Sequence, residues 1–451
     1  MVKTQTFDLV IIGAGSGLNL IPSGWKVAIV EKGPMGGTCL NRGCIPSKIV
    51  IHSADLAEDI REASKFGLSA KLNSVNLSKI TGRASKLVDN DANKIEKNIN
   101  ADKDITLFKG TAKFIGNKTL EVNNQIIKGK KIVIAAGARP SIPKIEGLDK
   151  VDYWTSTEAL RVKKQPKTLT IIGGGYIAAE LGHFFANLGT KINIVVRGDR
   201  LISNEDEEIS NKFTEIWKKK HDIYFNTNSK KVYKKNGKFY LETDKKTLVS
   251  DALLIVTGIR PNTDVLQVEK AGVKVNKAGY VITNDYLETN VKGIYALGDI
   301  IGTFGQKHSA NYEAEVVFQN AVEGKKVKRD YKAMPHAIFS SPQIAGVGYT
   351  EQELKEKKIK YVVGKYDYIK TGMGEALQDT TGFAKVLIDP KTRKFLGCHI
   401  MGTDASSIIH EVIVAMKNNL TADQLSETIH IHPALSEVVQ RAVNNALNKL
   451  S

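Results

Sequence analysis

Cysteine is scarce, with three in 451 residues. So few cannot staple a disulfide scaffold. The count suits a reducing cytoplasm, where a paired disulfide is more often catalytic than structural. No apolar run approaches the ~20 residues that would span a bilayer, so no membrane association is expected. A secretory signal pattern is also missing, because Phe7-Asp8-Leu9-Val10-Ile11-Ile12 already reads as a buried strand. The net charge is +17, yet there is no arginine-rich tail and no basic patch interleaved with aromatics. The charge is spread over many lysines. It reads as a solvated surface, able to attract phosphate-bearing cofactors or acidic substrates, rather than as a nucleic-acid site. Hydrophobic (42%) and charged (25%) contents are those of a globular protein, and the length allows two to four domains.

Two of the cysteines stand close together in Gly36-Gly37-Thr38-Cys39-Leu40-Asn41-Arg42-Gly43-Cys44-Ile45-Pro46-Ser47-Lys48. Residues five apart in a regular helix are separated by roughly 7.5 Å of rise. A disulfide needs Cα atoms within about 7 Å. A bonded pair therefore excludes regular helix from Cys39 to Gly43. Gly43 permits a break, Pro46 suits the first turn of a following helix, and a helix N-terminus beside a thiol favours the thiolate. On these residues alone, a structural disulfide, two buried thiols and a reactive pair all remain open.

The loop follows a nucleotide-binding pattern. Residues 7–31 read as strand, Gly13-Ala14-Gly15 turn, short helix and strand. Small residues in the turn let backbone N–H groups approach a pyrophosphate, and Glu31 at the strand end can hold ribose hydroxyls. The pattern departs from G-x-G-x-x-G: position 18 is Leu, Gly17 comes one place early, and the helix expected over Leu18–Gly24 is short and contains Pro22. A fuller unit begins at Leu169-Thr170-Ile171-Ile172. Gly173-Gly174-Gly175-Tyr176-Ile177-Ala178 opens a helix through Leu188, and a strand runs from Ile192 to Val196. Two such units suit one flavin and one nicotinamide cofactor. Asp299, after a buried strand and a glycine, is suited to sugar hydroxyls or, alternatively, to capping a helix. Cys398 reads as a buried core thiol. The segment His430-Ile431-His432-Pro433 contains H-x-H, but no cluster of further ligands accompanies it, so no metal is expected.

The stretch GGTCLNRGCIPSK resembles the redox-active loop of the flavoprotein disulfide reductases, the pyridine nucleotide-disulfide oxidoreductase family. That family includes dihydrolipoamide dehydrogenase, glutathione reductase, mycothione reductase and mercuric reductase, and the likeness covers nearly the whole chain. The resemblance implies an α/β fold with two Rossmann-like nucleotide-binding domains, for FAD and NAD(P), plus an α+β dimerisation domain. The expected division is 1–150 for FAD binding, 151–268 for NAD(P) binding, 269–330 completing the FAD domain, and 331–451 for dimerisation.

The same resemblance makes Cys39 and Cys44 the redox disulfide, with Cys44 beside the flavin and Cys39 exchanging with substrate. It makes His432 the base and Glu437 its partner, both supplied across a homodimer interface. It assigns cofactor contacts to Gly13, Gly15, Glu31, Gly37, Thr38, Ala112, Gly137, Gly173, Gly175, Ile177, Gly258, Asp299 and Ala310. Lys48 becomes the cation beside the flavin, Glu180 its carboxylate and Tyr176 an aromatic shield. Where NAD-using relatives carry glutamate this chain has Val196, and Arg197 follows, with Arg200 beyond. NADPH is therefore expected over NADH, unless both arginines are merely solvated.

The implied activity is reduction of a low-molecular-weight disulfide, in the manner of mycothione reductase. The alternative is dihydrolipoamide oxidation in 2-oxoacid dehydrogenase complexes. A non-catalytic flavoprotein or basic nucleic-acid binder is a third possibility, and the Cys pair with His432–Glu437 speaks against it. Mercuric reductase is disfavoured, because the tail from Asn444 onward lacks its cysteine pair.

Overall fold

A computed structural model describes residues 4–450. Three sheets carry the core. In the first, β1 (Gln5–Ile12) lies parallel between β2 (Val27–Glu31) and the strand Gln125–Ile134. Ile105–Lys109 extends the sheet beyond β2, and Ile294–Ala296 extends it beyond Gln125–Ile134, again in parallel. Leu9, Val10 and Ile11 are buried on both faces, as a covered parallel sheet requires. Ile12 pairs with Val30 and with Ile134, so these strands end level. Gly13, Glu31 and Ala135 therefore emerge together at the carboxyl edge, where open parallel sheets bind ligands.

The second sheet is also parallel, in the order Asp222–Tyr224, Lys191–Val195, Thr168–Ile172, Ala252–Ile255. A three-stranded antiparallel sheet over residues 229–250 accompanies it. An antiparallel pair, Ala138–Pro140 with Ile259–Pro261, joins the two nucleotide units. The third sheet is antiparallel and five-stranded, from Pro335–Ile338 through Ile344–Gly348, Phe395–Met401 and Phe383–Ile388 to Val362–Asp367. The helix Glu437–Leu447 buries Val438, Val439, Ala442, Val443 and Ala446 against it, at the spacing of one helical face.

One local expectation is corrected. The chain after the first glycine turn is a single 3-10 helix, Ser16–Leu20, and not a helix over Leu18–Gly24. Pro22 ends it: the preceding Ile21 is extended, at φ −75° and ψ 110°. Gly17 supplies the close approach to the sheet, since a Cβ there would lie 2.7 Å from the Ile11 side chain.

The redox segment is two helices, α1 (Gly37–Arg42) and α2 (Cys44–Glu62), broken at Gly43. A side chain at Gly43 would meet the Thr38 carbonyl at 3.0 Å and the Cys39 Cα at 3.3 Å. Val50, Ile51, Ala54 and Ala57 form the buried stripe of α2, in the core shared with the helix Tyr176–Asn187. Burying Val50 and Ile51 stabilises this contact by about 1.5–3 kcal/mol each.

A buried ionic cluster ties the second nucleotide unit to the third sheet. Lys385 is 1% exposed, and its Nζ meets Asp206 at 2.8 Å, Glu351 at 2.7 Å and Glu208 at 3.4 Å. Asp206 also accepts the amides of Glu208 and Glu351, at 3.1 and 3.0 Å. Among the described residues no helix is long and apolar enough to cross a membrane.

Candidate active site

The glycine turn after β1 has space that only glycine leaves. A Cβ on Gly13, whose φ is +105°, would sit 2.3 Å from the Ala135 carbonyl oxygen. A Cβ on Gly37 would approach the Gly15 Cα to 2.7 Å, so the turn and the start of α1 touch through bare backbone. Thr38 follows within α1. Glu31 accepts the Ala14 amide at 2.9 Å and the Gly33 amide at 2.7 Å, which places its carboxylate against the turn. The Gly110 amide donates to the Glu31 carbonyl at 3.0 Å and brings buried Ala112 to the same edge.

Asp299 arrives from the other side. It lies inside the 3-10 helix Gly298–Ile300, while the next long helix, Lys307–Ala321, is capped at Gln306. Asp299 is thus not an N-cap. Its carboxyl accepts its own amide, and lost hydration raises its pKa. Ala310, in the first turn of Lys307–Ala321, lies beneath Gly298, where a Cβ would meet it at 3.3 Å. Gln306 Oε1 is buried with no partner. A bare glycine cradle, the Glu31 carboxylate beside it and the buried, unpartnered Gln306 Oε1 fit an FAD. Gly137 and Gly258 turn the chain between the two units: the Gly137 carbonyl accepts the Asn262 amide at 3.2 Å, and the Gly258 carbonyl accepts the Ser141 amide at 2.9 Å.

The second cradle is built the same way. Gly173 has φ +130°, and a Cβ there would lie 2.3 Å from the Val256 carbonyl. Gly175 is open, and Tyr176 and Ile177 begin the helix Tyr176–Asn187. Arg197 is exposed and carries no ion pair among the described residues. Arg200 differs from expectation: its Nη1 meets Glu207 at 3.1 Å, which offsets its charge.

Cys39 and Cys44 are free thiols joined by a hydrogen bond, Cys44 being the first residue of α2. That bond, with the Lys307 and Lys48 charges, brings the Cys39 thiol down to about 7 despite lost hydration. Donating the bond pushes Cys44 far above the ordinary thiol range, as do lost hydration and the Cys39 charge. The pair therefore releases one proton readily and holds the second. Alkylation of the reduced protein is expected to rise with a midpoint near pH 7. Cys39→Ser should remove that phase; a midpoint near pH 9, or its survival in Cys39→Ser, would contradict this assignment.

Lys48, one turn along α2, is held by both carboxylate oxygens of Glu180, at 2.8 Å each. Glu180 also accepts the Phe339 amide at 3.0 Å, and the Lys48 ammonium lies 4.4 Å from the Phe339 ring centroid. Neither residue is a solvated surface charge. Tyr176 is 48% exposed. Its phenol is pushed up to about 12 by lost hydration and by the charges of Asp299 and Glu180.

His432 stands apart from this assembly. No hydrogen bond or ion pair joins it to either cysteine within one chain. It projects from the loop before Glu437–Leu447 with its side chain 74% exposed, next to Ile431 (79% exposed) and Ile429 (97%). Its Nδ1 meets Glu437 at 3.0 and 3.2 Å, and Glu437 also accepts the Ala434 amide at 3.1 Å. Lost hydration would raise the Glu437 carboxyl, but the His432 ring, this amide and Arg441 hold it below the usual range. A carboxylate only accepts, so Nδ1 carries the proton and Nε2 faces outward. His430 Nε2 meets Glu411 at 2.9 Å.

Three residues escaped the sequence reading. Asn41, buried in α1, donates to the carbonyls of Met35 and Gly37 at 2.8 and 2.9 Å and braces the loop before Cys39. Glu313 accepts the Gly298 amide at 2.6 Å and the Tyr331 hydroxyl at 2.7 Å, fixing the turn that presents Asp299. Lys307 reaches Ser16 from the start of its helix, at 2.9 Å. Each reads locally as an ordinary polar residue, and no motif marks it.

Residues 7–314 match the family described as pyridine nucleotide-disulphide oxidoreductase, and residues 334–443 match its dimerisation domain. The chain is 36% identical to mycothione reductase of Mycobacterium tuberculosis H37Rv, over 97% of this chain and 99% of that protein. It is 36% identical to mercuric reductase of Staphylococcus aureus, over 97% of this chain and 82% of that protein. For dihydrolipoyl dehydrogenase of Bacillus subtilis the identity is 34%, over 98% and 96%. Among solved structures, the HOCl-induced flavoprotein disulfide reductase RclA from Escherichia coli superposes with a TM-score of 0.87. That likeness is at 29% identity and covers 98% of this chain and all of that one. With the paired cysteines, two glycine cradles and a dimerisation domain all in one polypeptide, this chain belongs to the FAD-dependent pyridine nucleotide-disulphide oxidoreductases.

Proposed function

We propose that the protein is a cytoplasmic NADPH:disulfide oxidoreductase that passes electrons through Cys39 and Cys44 to a low-molecular-weight disulfide, as its mycothione reductase relative is named for doing. In this reading residues 1–150 and 269–330 hold FAD, 151–268 hold the nicotinamide cofactor, and 331–451 form a homodimer that carries His432 into the partner's site. The exposed Ile429 and Ile431 around His432 support that interface. The three-cysteine composition supports the reducing compartment.

FAD, held at the cradle of Gly13, Gly15 and Gly37, would supply a carrier of electron pairs between a hydride donor and sulfur. The residues do the rest. Two electrons and two protons convert the Cys39–Cys44 disulfide to two thiols, and Cys39 ionises first, its proton passing to His432 Nε2. Its thiolate attacks the substrate disulfide, forming a mixed disulfide and expelling one thiolate, which His432 protonates. Cys44 then attacks the Cys39 sulfur, releasing the second thiol and restoring the internal disulfide. Lys48, fixed by Glu180, provides positive charge beside the reacting pair throughout.

The observation that carries the choice of substrate class is the unpaired Arg197 after Val196, where an acidic residue would repel a 2′-phosphate. One charge-assisted contact is worth roughly 1.5–3 kcal/mol, about tenfold or more in affinity. NADPH is therefore expected to have the higher kcat/KM, and Arg197→Ala should raise its KM about tenfold while leaving NADH nearly unchanged. A higher kcat/KM for NADH, unaffected by Arg197→Ala, would instead favour dihydrolipoamide oxidation. The pairing of Arg200 with Glu207 supports that second reading, because it removes one of the two cations from the site. Turnover of a panel of oxidised thiols and of dihydrolipoamide, each with both cofactors, decides between them.

A further inference from the structure

In a dinucleotide fold the pyrophosphate usually meets the N-terminus of the helix after the glycine turn, where free N–H groups and the aligned peptide dipoles favour an anion. Here that helix is reduced to the five-residue 3-10 turn Ser16–Leu20. Too few peptides are aligned for a substantial macrodipole, and the turn is followed at once by extended Ile21. The protein has nevertheless kept the bare cradle of Gly13, Gly15 and Gly37. Anion binding at this cradle has lost part of its usual electrostatic support.

A side-chain cation stands in the same place. Lys307 opens the helix Lys307–Ala321, 291 residues away in sequence, and its ammonium donates to the Ser16 hydroxyl at 2.9 Å. Ser16 is buried within the glycine turn, and its hydroxyl in turn donates to Asn311 Oδ1 at 2.9 Å, one turn along the same helix. Lys307 is half-buried and makes no ion pair with any carboxylate among the described residues. Asp299 and Glu313, the acids nearest in sequence around the Gly298 turn, form no bond to it. A half-buried ammonium bonded to a neutral hydroxyl, and to no carboxylate among the described residues, is poorly compensated, and lost hydration disfavours its charged form. It is positioned for an anion.

We propose that Lys307, oriented by Ser16 and Asn311, supplies the positive charge for the FAD pyrophosphate that the shortened first helix no longer provides. This rests on the FAD reading of the first nucleotide unit. Lys307 is thus a cofactor-binding residue that no motif announces. Its charge also faces Cys39, so bound cofactor and redox thiol draw on one cation.

The test uses the holoenzyme. Wild type, Lys307→Met, Lys307→Arg and Ser16→Ala are diluted to nanomolar concentration, and FAD release is followed by its fluorescence at several salt concentrations. Lys307→Met is expected to raise the FAD dissociation constant about tenfold or more, the size of a lost charge-assisted bond. It should also flatten the salt dependence, since the screened interaction is gone. Lys307→Arg should restore affinity to within about threefold, and Ser16→Ala should cause a smaller loss, about threefold. Unchanged affinity and salt dependence in Lys307→Met overturn the proposal. So does an equal loss in Lys307→Arg, which would mark Lys307 as a packing residue. Should Lys307→Met not fold, the Lys307→Arg and Ser16→Ala affinities still decide. Failure of wild type itself to hold FAD would overturn the FAD reading together with it.

Discussion

Replacing His432 with alanine is expected to lower disulfide turnover about 10²–10⁴-fold, the range for loss of a positioned acid–base group. Reduction of the bound flavin by pyridine nucleotide should proceed at the wild-type rate. The separation follows from placement: His432 touches Glu437 and nothing of the glycine cradles or the Lys48–Glu180 pair. Glu437 stays ionised because the ring, the Ala434 amide and Arg441 outweigh its lost hydration, so it holds the proton at Nδ1 and leaves Nε2 for a substrate sulfur. Glu437→Gln should give an intermediate loss. Parallel loss of flavin reduction in a folded His432→Ala dimer would remove His432 from the acid–base role. The interface is tested by mixing unfolded His432→Ala and Cys44→Ser chains and refolding them together. If the site pairs the cysteines of one chain with the histidine of the other, random dimers recover about a quarter of wild-type activity. If the site lies within one chain, the mixture stays inactive.

The second large effect is on stability. Lys385→Met leaves Asp206, which is fully buried, beside two further carboxylates with no cation between them. Removing one partner of a buried ion pair typically costs about 3–5 kcal/mol. A fall of several degrees in the thermal midpoint is expected, and the double variant Lys385→Met with Asp206→Asn should lose less than the single one. Equal losses in the two would show that Lys385 contributes by packing alone. The cluster also sets acid sensitivity. Lost hydration raises Glu351, but hydrogen bonds from Lys385, Lys355 and Tyr361 depress it to about 2 in the fold, from an ordinary 4.5. Asp206 is lowered as well, the Lys385 charge and hydrogen bond and the Glu351 amide overcoming its burial. A depressed carboxylate contributes stability above its unfolded pKa and loses it as pH falls through the folded value. Acid unfolding should therefore proceed between about pH 4.5 and 2, and the cost of Lys385→Met, where the depression is lost, should shrink as pH falls through that range. An acid transition identical in the two proteins would exclude this cluster as its cause.

What could be read in one dimension is whatever the backbone enforces locally. Gly13, Gly37 and Gly173 stand where a Cβ would strike a neighbouring backbone atom, so the glycine patterns themselves announced both cradles. The cysteine loop was legible for a similar reason: Gly43 breaks a helix that Cys44 then restarts, and both residues lie in one short stretch. Buried runs such as Leu9–Ile11 signalled parallel strands because both faces are covered. Pro22 was visible too, but its consequence was not, because a truncated helix can end in several ways and only packing selects the 3-10 turn under Gly17.

Pairings between distant side chains were decided by the tertiary structure alone. Lys48 meets Glu180 across 132 residues, Lys385 meets Asp206 across 179, and Lys307 meets Ser16 across 291. A lysine carries no local mark of its partner, and in a chain with 65 lysines and arginines most are solvated. Arg200 shows the same limit from the other direction, since its pairing with Glu207 depends on how a loop folds back onto the next helix. The reason is physical: backbone conformation is limited by sterics within a few residues, whereas the environment of a charge depends on which elements pack around it.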